Sequence, residues 1–377
     1  MDETNTVTPP PGGADGGGGS AGNGDGATQA TAEPQLHRLE FRSAGTEYFR
    51  IWIVNLALTV VTLGIYSAWA KVRKLHYFYG STVLAGSAFG YHGEPLKILK
   101  GRAIATVFVA AYFVLSRISP AAGGLAAVVL TAAMPWLVVK SRLFTLRMTS
   151  WRGLRFDFRP DYAGAYAAFL GWALLAGITL GILYPRFTYQ RYKFVVTRAR
   201  LGVTEFGFGA RIWPFYKAAL GAGAVFIVGV VLAGVAMAMV IAGTKGTAAA
   251  IGRGPAELGL LAAVALYVIA LLIATAVLQA GNLNETYGRT TLGPHRLHCE
   301  LRAGKLARLY LGNALGIVLT LGLFTPWAQL RLAKYRIEAL TLEAHGSLDE
   351  FAAGVAAQQT AATGEEISSL FDVDFGF

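Results

Sequence analysis

His295, His298 and Cys299 bring three potential metal ligands within five positions. In an extended strand, neighbouring side chains point to opposite faces, so His298 and Cys299 cannot converge on one ion. Cys299 is the only cysteine, so no second thiolate stands at ligand spacing, and the pattern argues against a metal. Asp157 and Asp161 could serve as paired carboxylates, but beside Arg155 and Arg159 they read as ion-paired. Asn55 and Asn313 lie inside apolar stretches, where each needs a hydrogen-bond partner. They are candidate membrane-embedded polar residues, either lining a polar path or joining helices. No Ser-His-Asp, HExxH or P-loop pattern occurs. No cofactor is implied, and the expectation is a protein that is not an enzyme.

The stretches carrying these residues are unusually apolar. Of 377 residues, 54% are hydrophobic and only 15% charged, with mean hydropathy +0.47. A soluble domain carries about a quarter charged residues, so the deficit points to a membrane protein. Net charge is +11, unevenly spread. Residues 1–34 hold five acids and residues 348–377 six, neither with any Lys or Arg, so the middle keeps all 33 bases. Those bases flank apolar segments, the positive-inside pattern, which sets nucleic acid aside. The expected partner is the lipid bilayer, with anionic lipid on the cytosolic face; Gly177-x-x-x-Gly181 and Gly229-x-x-x-Ala233 fit helix packing inside one protomer as well as they fit a homo-oligomer. Glu47 and Arg50, with Trp69, Trp136, Trp151, Trp213 and Trp327, read as interfacial anchors. Residues 1–34 read as a disordered Gly-rich tail, 35–351 as the membrane domain and 352–377 as an acidic C-terminal tail. A lone cysteine excludes an intramolecular disulfide and suits a cytosolic face.

One unit recurs five times: an apolar segment, a basic aromatic run, a Gly turn and an alternating strand. The second strands are read as ending in AFGY, RFDF, EFGF, HCEL and LDEF. Three apolar segments, within Ile51–Ala70, Ala163–Pro185 and Leu309–Ala328, share Thr-Leu-Gly. Nine residues before the Gly stand Asn55, Trp172 and Asn313; nine after it, Arg73, Gln190 and Arg331, followed by Tyr77, Phe194 and Tyr335. The remaining apolar segments form two helical hairpins, Ala103–Leu115 with Gly124–Val139, and Ala218–Thr244 with Leu258–Ala280. If all seven segments crossed once, the basic strand pairs would fall on both faces, against positive-inside. The preferred topology makes the Thr-Leu-Gly segments broken helices that enter and return, with breaks at Gly64, Gly181 and Gly322 and at Pro185 and Pro326. Non-helical backbone at that depth must be covered by protein or water. The segment HRLEFR at His37–Arg42 copies the second-strand pattern and is expected to pair with the last unit and close a ring.

Two stretches, EYFRIWIVNLALTVVTLGIYSAWAKVRKLHYFYGSTVLAG and LGNALGIVLTLGLFTPWAQLRLAKYRIEALTLEAHGSL, resemble the YjgN-type family of bacterial inner-membrane proteins. The most specific piece is TLG-x-[YF]-x-P-W-A, matched throughout by the last unit. The first departs at Ala68, and the middle unit at Leu183, Arg186 and Phe187. The resemblance implies an inner-membrane location and a multi-pass fold, and supplies no activity. The expected fold class is therefore a polytopic α-helical membrane protein with internal pseudo-repeats and short cytosolic β-hairpins after the membrane segments. The expected role is movement of a small molecule, ion or lipid. The alternative is a non-transporting scaffold that recruits partners through its basic face and acidic tails.

Overall fold

The computed structural model describes residues 33–244 and 254–372, so the expected tail at 1–34 lies almost wholly outside them. Strands β1 (Gln35–Arg38) and β2 (Glu40–Phe41) lead into α1 (Gly45–Val61), which turns back as α2 (Ser67–Gly80) to the hairpin β3 (Thr82–Leu84) and β4 (Ser87–Tyr91). Helices α3 (Pro95–Ile118) and α4 (Pro120–Arg147) follow, then β5 (Thr149–Trp151) and β6 (Leu154–Phe158). Next, α5 (Tyr162–Ala165), a π-helical stretch (Tyr166–Gly171) and α6 (Trp172–Ile178) go in, and α7 (Tyr184–Thr197) returns to β7 (Ala199–Leu201) and β8 (Thr204–Phe208). Helices α8 (Trp213–Thr244) and α9 (Gly254–Tyr287) precede β9 (Thr290–Leu292) and β10 (His295–Cys299). Finally α10 (Ala303–Leu319) and α11 (Thr325–Glu338) lead to β11 (Leu340–Ala344) and α12 (Leu348–Asp372).

The eleven strands form one sheet of order β1-β11-β10-β9-β8-β7-β6-β5-β4-β3-β2. Each hairpin also pairs with the next: Phe89 lies opposite Trp151, Phe156 opposite Leu201, Phe206 opposite Leu292 and Leu297 opposite Leu342. At the ends, His37 of β1 faces Leu342 and Glu40 of β2 faces Val83. Only Leu39 separates β1 from β2, and its N–H donates to the Leu340 carbonyl at 3.0 Å. The two sheet edges are thus halves of one segment, and the sheet comes round into a near-barrel.

This overturns the expected fold class. The strands are not short independent hairpins hung on a helical protein but a single continuous sheet. Alternation along a strand reports which side chains share a face; it leaves no mark of which distant hairpin the outer edge will meet. Two registers change with it. In the fourth hairpin β10 ends at Cys299, and Leu297, not the HCEL segment, takes the place of Phe206. LDEF opens α12 rather than forming a strand, and β1 supplies the partner of β11.

Side chains from around the ring meet in one core. Leu39, Leu84, Trp151, Leu154, Leu201, Leu292 and Leu342 are buried there, with Phe89, Phe156, Phe206 and Leu297 packed against them. Trp151 is therefore a core residue, not an interfacial anchor. Leu348, Ala352 and Val355, on one stripe of α12, cover this core. Arg152 ties α12 down, pairing with Asp349 and donating to the Ala85 carbonyl at 3.1 Å. The segment read as an acidic tail from residue 352 thus begins as a docked helix.

Among the described residues, four helices are long and apolar enough to cross a bilayer: Pro95–Ile118, Pro120–Arg147, Trp213–Ala242 and Gly259–Tyr287. Close approach holds the second pair together, since a Cβ on Gly229 would lie 2.0 Å from that of Ala270. Because every hairpin belongs to one sheet, all lie on one side, which excludes seven single crossings. The Thr-Leu-Gly segments end instead in a shared turn. Gly64 N–H reaches the Thr59 carbonyl at 2.7 Å and Leu63 N–H that of Val60 at 3.1 Å, the Schellman pattern of a helix end. Gly181 to Ala176 and Gly322 to Ile317, both 2.8 Å, repeat it. Leu63, Leu180 and Leu321 all have φ near +50°, and the glycines after them +90° to +94°. The Thr62 hydroxyl donates to the Leu58 carbonyl at 2.7 Å and accepts from Tyr66 N–H at 2.9 Å, bridging the arms. Thr320 does the same with Gly316 and Phe324. Backbone groups at the turn are thereby paired internally, as an apolar surrounding would require.

The return arms close these hairpins. The Tyr77 hydroxyl accepts from the Ala44 N–H and donates to its carbonyl, both at 3.0 Å. Tyr335 holds Arg302 in the same way at 2.8 and 3.1 Å. Phe194 has no hydroxyl, and there Asp161 caps its own helix through the Gly164 N–H at 2.8 Å.

A Cβ at Gly322 meets nothing within 4 Å, so Gly322→Ala acts only through backbone strain. It should lose about 1–2 kcal/mol, seen as a lower unfolding midpoint in detergent; an unchanged midpoint would mean the turn is not held this way. The exposed outward positions Ala88, Arg155, Glu205 and Arg296, each changed to Cys in a Cys299→Ser background, should react with an impermeant thiol reagent from one side of the membrane only.

Candidate binding site

The expected chemical residues do not come together. His298 points outward, its Nε2 2.6 Å from Glu343 Oε2, and this contact holds the Glu343 carboxyl below its usual range. Cys299 points inward beside Leu301 and Leu306, where burial pushes its thiol up to about 11. His295 shares that inner face but sits at the turn end, its ring edge-on to Phe351 at 4.5 Å. Its Nδ1 accepts from the His345 N–H at 3.2 Å, and burial together with His345 lowers its pKa. Among the described residues no three His, Cys, Asp or Glu are grouped to hold a metal. Asp157 is ion-paired with Arg147 at 2.8 Å and Arg200 at 2.9 Å, and Asp161 with Arg198 at 2.7 Å. The pairing is as expected in kind, but the partners are not Arg155 and Arg159.

Asn55 and Asn313 are buried within α1 and α10. Asn313 Nδ2 donates across to the Ala328 carbonyl of α11 at 3.2 Å. The middle hairpin has Trp172 here, with the Arg186 guanidinium 5.1 Å from its ring. The contact across α10 and α11 is that of a residue joining helix arms. Gly64, Gly181 and Gly322 stand at the breaks, while Pro185 and Pro326 are buried in the first turns of α7 and α11. A proline there removes a donor that has no helical partner anyway.

A cavity of about 750 Å³ lies beneath the sheet, among residues of α2, α4, α7 and α9. Phe156, Phe206 and Leu297 line its upper end, and the same three pack against the core that α12 covers. Its only charged lining residues are Arg142 and Arg191, with no Asp or Glu. Neither arginine has an ion pair among the described residues. Arg191 lies 5.2 Å from the Phe187 ring and 5.7 Å from that of Phe169. Thr188 and Asn282 line the same cavity, 6% and 5% exposed, and Thr188 Oγ1 and Asn282 Oδ1 have no protein partner. Gln279 is held by Tyr310 at 2.7 Å and by Arg336.

A groove of about 770 Å³ between α8, α9 and β10 differs in charge. Glu285 and Glu300 stand there with Lys217 and Arg289, and Arg289 pairs with Glu285 at 3.0 Å. Its charges offset one another, which leaves the cavity beneath the sheet as the site whose charged lining is of one sign. The sequence reading passed over Arg142 and Arg191 as members of lipid-facing basic runs. Asn55 and Asn313 do not line the cavity.

A family model described as a bacterial protein of unknown function (DUF898) matches residues 36–370. The inner membrane protein YjgN of Salmonella typhimurium LT2 is 34% identical over 135 residues, 34% of this chain and 33% of that protein. YjgN of Escherichia coli O157:H7 is 30% identical over 154 residues, and that of strain K12 29% over 154, each 39% of this chain and 37% of the relative. The aligned part thus spans about a third of each relative's length. No solved structure matches the chain.

With a thiol near 11, about one Cys299 in a thousand is ionised at pH 8. Alkylation of the folded protein should be slow there and rise about tenfold per pH unit up to pH 10. A rate that levels off near pH 9 would show an ordinary, solvated thiol.

Proposed function

Taking as premise that the chain belongs to the DUF898 family of bacterial proteins of unknown function and is an integral, multi-pass protein of the bacterial inner membrane, we propose that it moves a small molecule, ion or lipid, with the cavity beneath the sheet as its binding station. The observation that carries this reading is the cavity's charge: two unpaired guanidinium groups and no acid. Both arginines are exposed to solvent and have no ion pair among the described residues, so their guanidinium forks are available to a negatively charged ligand.

Internal repetition supports the same reading, because many membrane carriers are built from repeated units around a central site. We read the chain as five such units. Three carry the Thr-Leu-Gly turn with matching φ angles, and the N-terminal strand completes the fifth. The cavity lining holds no carboxylate, His or Cys to act as base or nucleophile, which favours a carrier over an enzyme. The scaffold reading is less favoured because the first turns of α12 are engaged by the protein's own ring. Anionic lipid against the basic return helices, and self-association, belong to the proposal.

Reconstituted vesicles test it through two fluxes: release of a trapped fluorescent organic anion, and exposure to dithionite of a fluorescent phospholipid placed in the inner leaflet. The protein should speed one of them at least tenfold, and Arg142→Gln with Arg191→Gln should abolish the gain while the gel-filtration profile is kept. Rates equal to those of empty vesicles in both assays would end the transport reading.

A further inference from the structure

We propose that the cavity binds an amphipathic phosphate, with its oxyanion against Arg142 and Arg191 and its apolar part along the aromatic wall. The proposal deepens the carrier reading and rests on that cavity being its binding station. Four features of the site point to this chemistry.

The first is sign. Both charged lining groups are positive, and neither has a protein counter-ion among the described residues. The second is donor geometry. Guanidinium offers a flat fork of N–H groups that matches the oxygens of phosphate. The third is size and lining. At about 30 Å³ per water, about 750 Å³ exceeds the needs of an inorganic ion many times over. Phe169, Tyr184, Tyr192 and Tyr287 supply an apolar surface that such an ion would leave unfilled. The fourth is the wall between them. Thr188 Oγ1 and Asn282 Oδ1 are buried polar atoms with no protein partner, on residues of the same cavity. Buried polar atoms are nearly always paired, and a ligand carrying polar groups would supply what the protein does not.

A phospholipid headgroup and a soluble aryl phosphate share the chemistry that this lining offers.

The test is binding, not flux, on the full-length protein in a neutral detergent. Four probes are titrated: short-chain phosphatidylglycerol, short-chain phosphatidylcholine, phenyl phosphate and inorganic phosphate, with the unfolding midpoint and intrinsic fluorescence as readouts. Phosphatidylglycerol or phenyl phosphate should bind at least tenfold more tightly than inorganic phosphate. Either result supports the site, and which of the two binds names its source. Arg142→Gln and Arg191→Gln should each weaken that binding at least tenfold. Arg142→Lys and Arg191→Lys, which keep the charge and lose the fork, should weaken it less. Arg38→Gln, outside the cavity, should leave it unchanged and serves with gel filtration as the folding control. Equal binding of phosphatidylcholine and phosphatidylglycerol, or affinity indifferent to both Gln variants, would overturn the proposal. Binding that holds while both fluxes fail removes the carrier role alone; flux that survives while binding fails removes this ligand assignment alone.

Discussion

Strands can share hydrogen bonds only when they lie in the same compartment, and that requirement shapes every membrane segment of this protein. Five strand pairs in one sheet demand an even number of crossings between any two of them. Helices α3 and α4 meet the demand by going out and back, as do α8 and α9. The other three connections meet it by entering and returning within one helix–turn–helix. An apolar segment of 17 residues, such as α1, is about 25 Å long, close to a full span, so length alone does not decide its path. The sheet does.

Reversing a helix between two apolar arms sets a second demand, because backbone groups left unpaired away from water cost several kcal/mol each. The Thr-Leu-Gly turn answers it with paired carbonyls, a bridging hydroxyl and two consecutive left-handed residues. A leucine at φ near +50° costs about 1–2 kcal/mol. An apolar surrounding would offset this, since a leucine removed from water gains about 1.5–3 kcal/mol. Leu63, Leu180 and Leu321 are 94–95% exposed on the protein surface, so each turn presents an apolar tip. A glycine would relieve the strain and forfeit the apolar contact.

Much of this was readable from residue types. The breaks at Gly64, Gly181 and Gly322, the ring-closing role of HRLEFR and the strand positions of the first three hairpins follow from local pattern and spacing. What could not be read was set by distance or direction. Pairing between hairpins separated by two long helices leaves no local trace, so the strands looked independent and the fold class was misjudged. Cys299-Glu300-Leu301 alternates as well as Leu297-His298-Cys299, so the fourth register slipped by two. LDEF continues an alternating pattern but sits after Gly346, at φ +86°, where the chain turns into a helix. Arg142 and Arg191 sit among other basic residues, and charge alone does not say which face of a helix looks inward.

The seam of the barrel joins the first ordered strand to the last. Gln35–Arg38 emerges from the ribosome about 300 residues before Leu340–Ala344, its partner. Through all the intervening insertion events, one edge of the growing sheet stays unpaired, and unpaired strands invite association with other chains. The protein therefore finishes folding only when its final strand is made. A nascent chain stalled anywhere before that point would carry an exposed edge that quality control could read as incomplete.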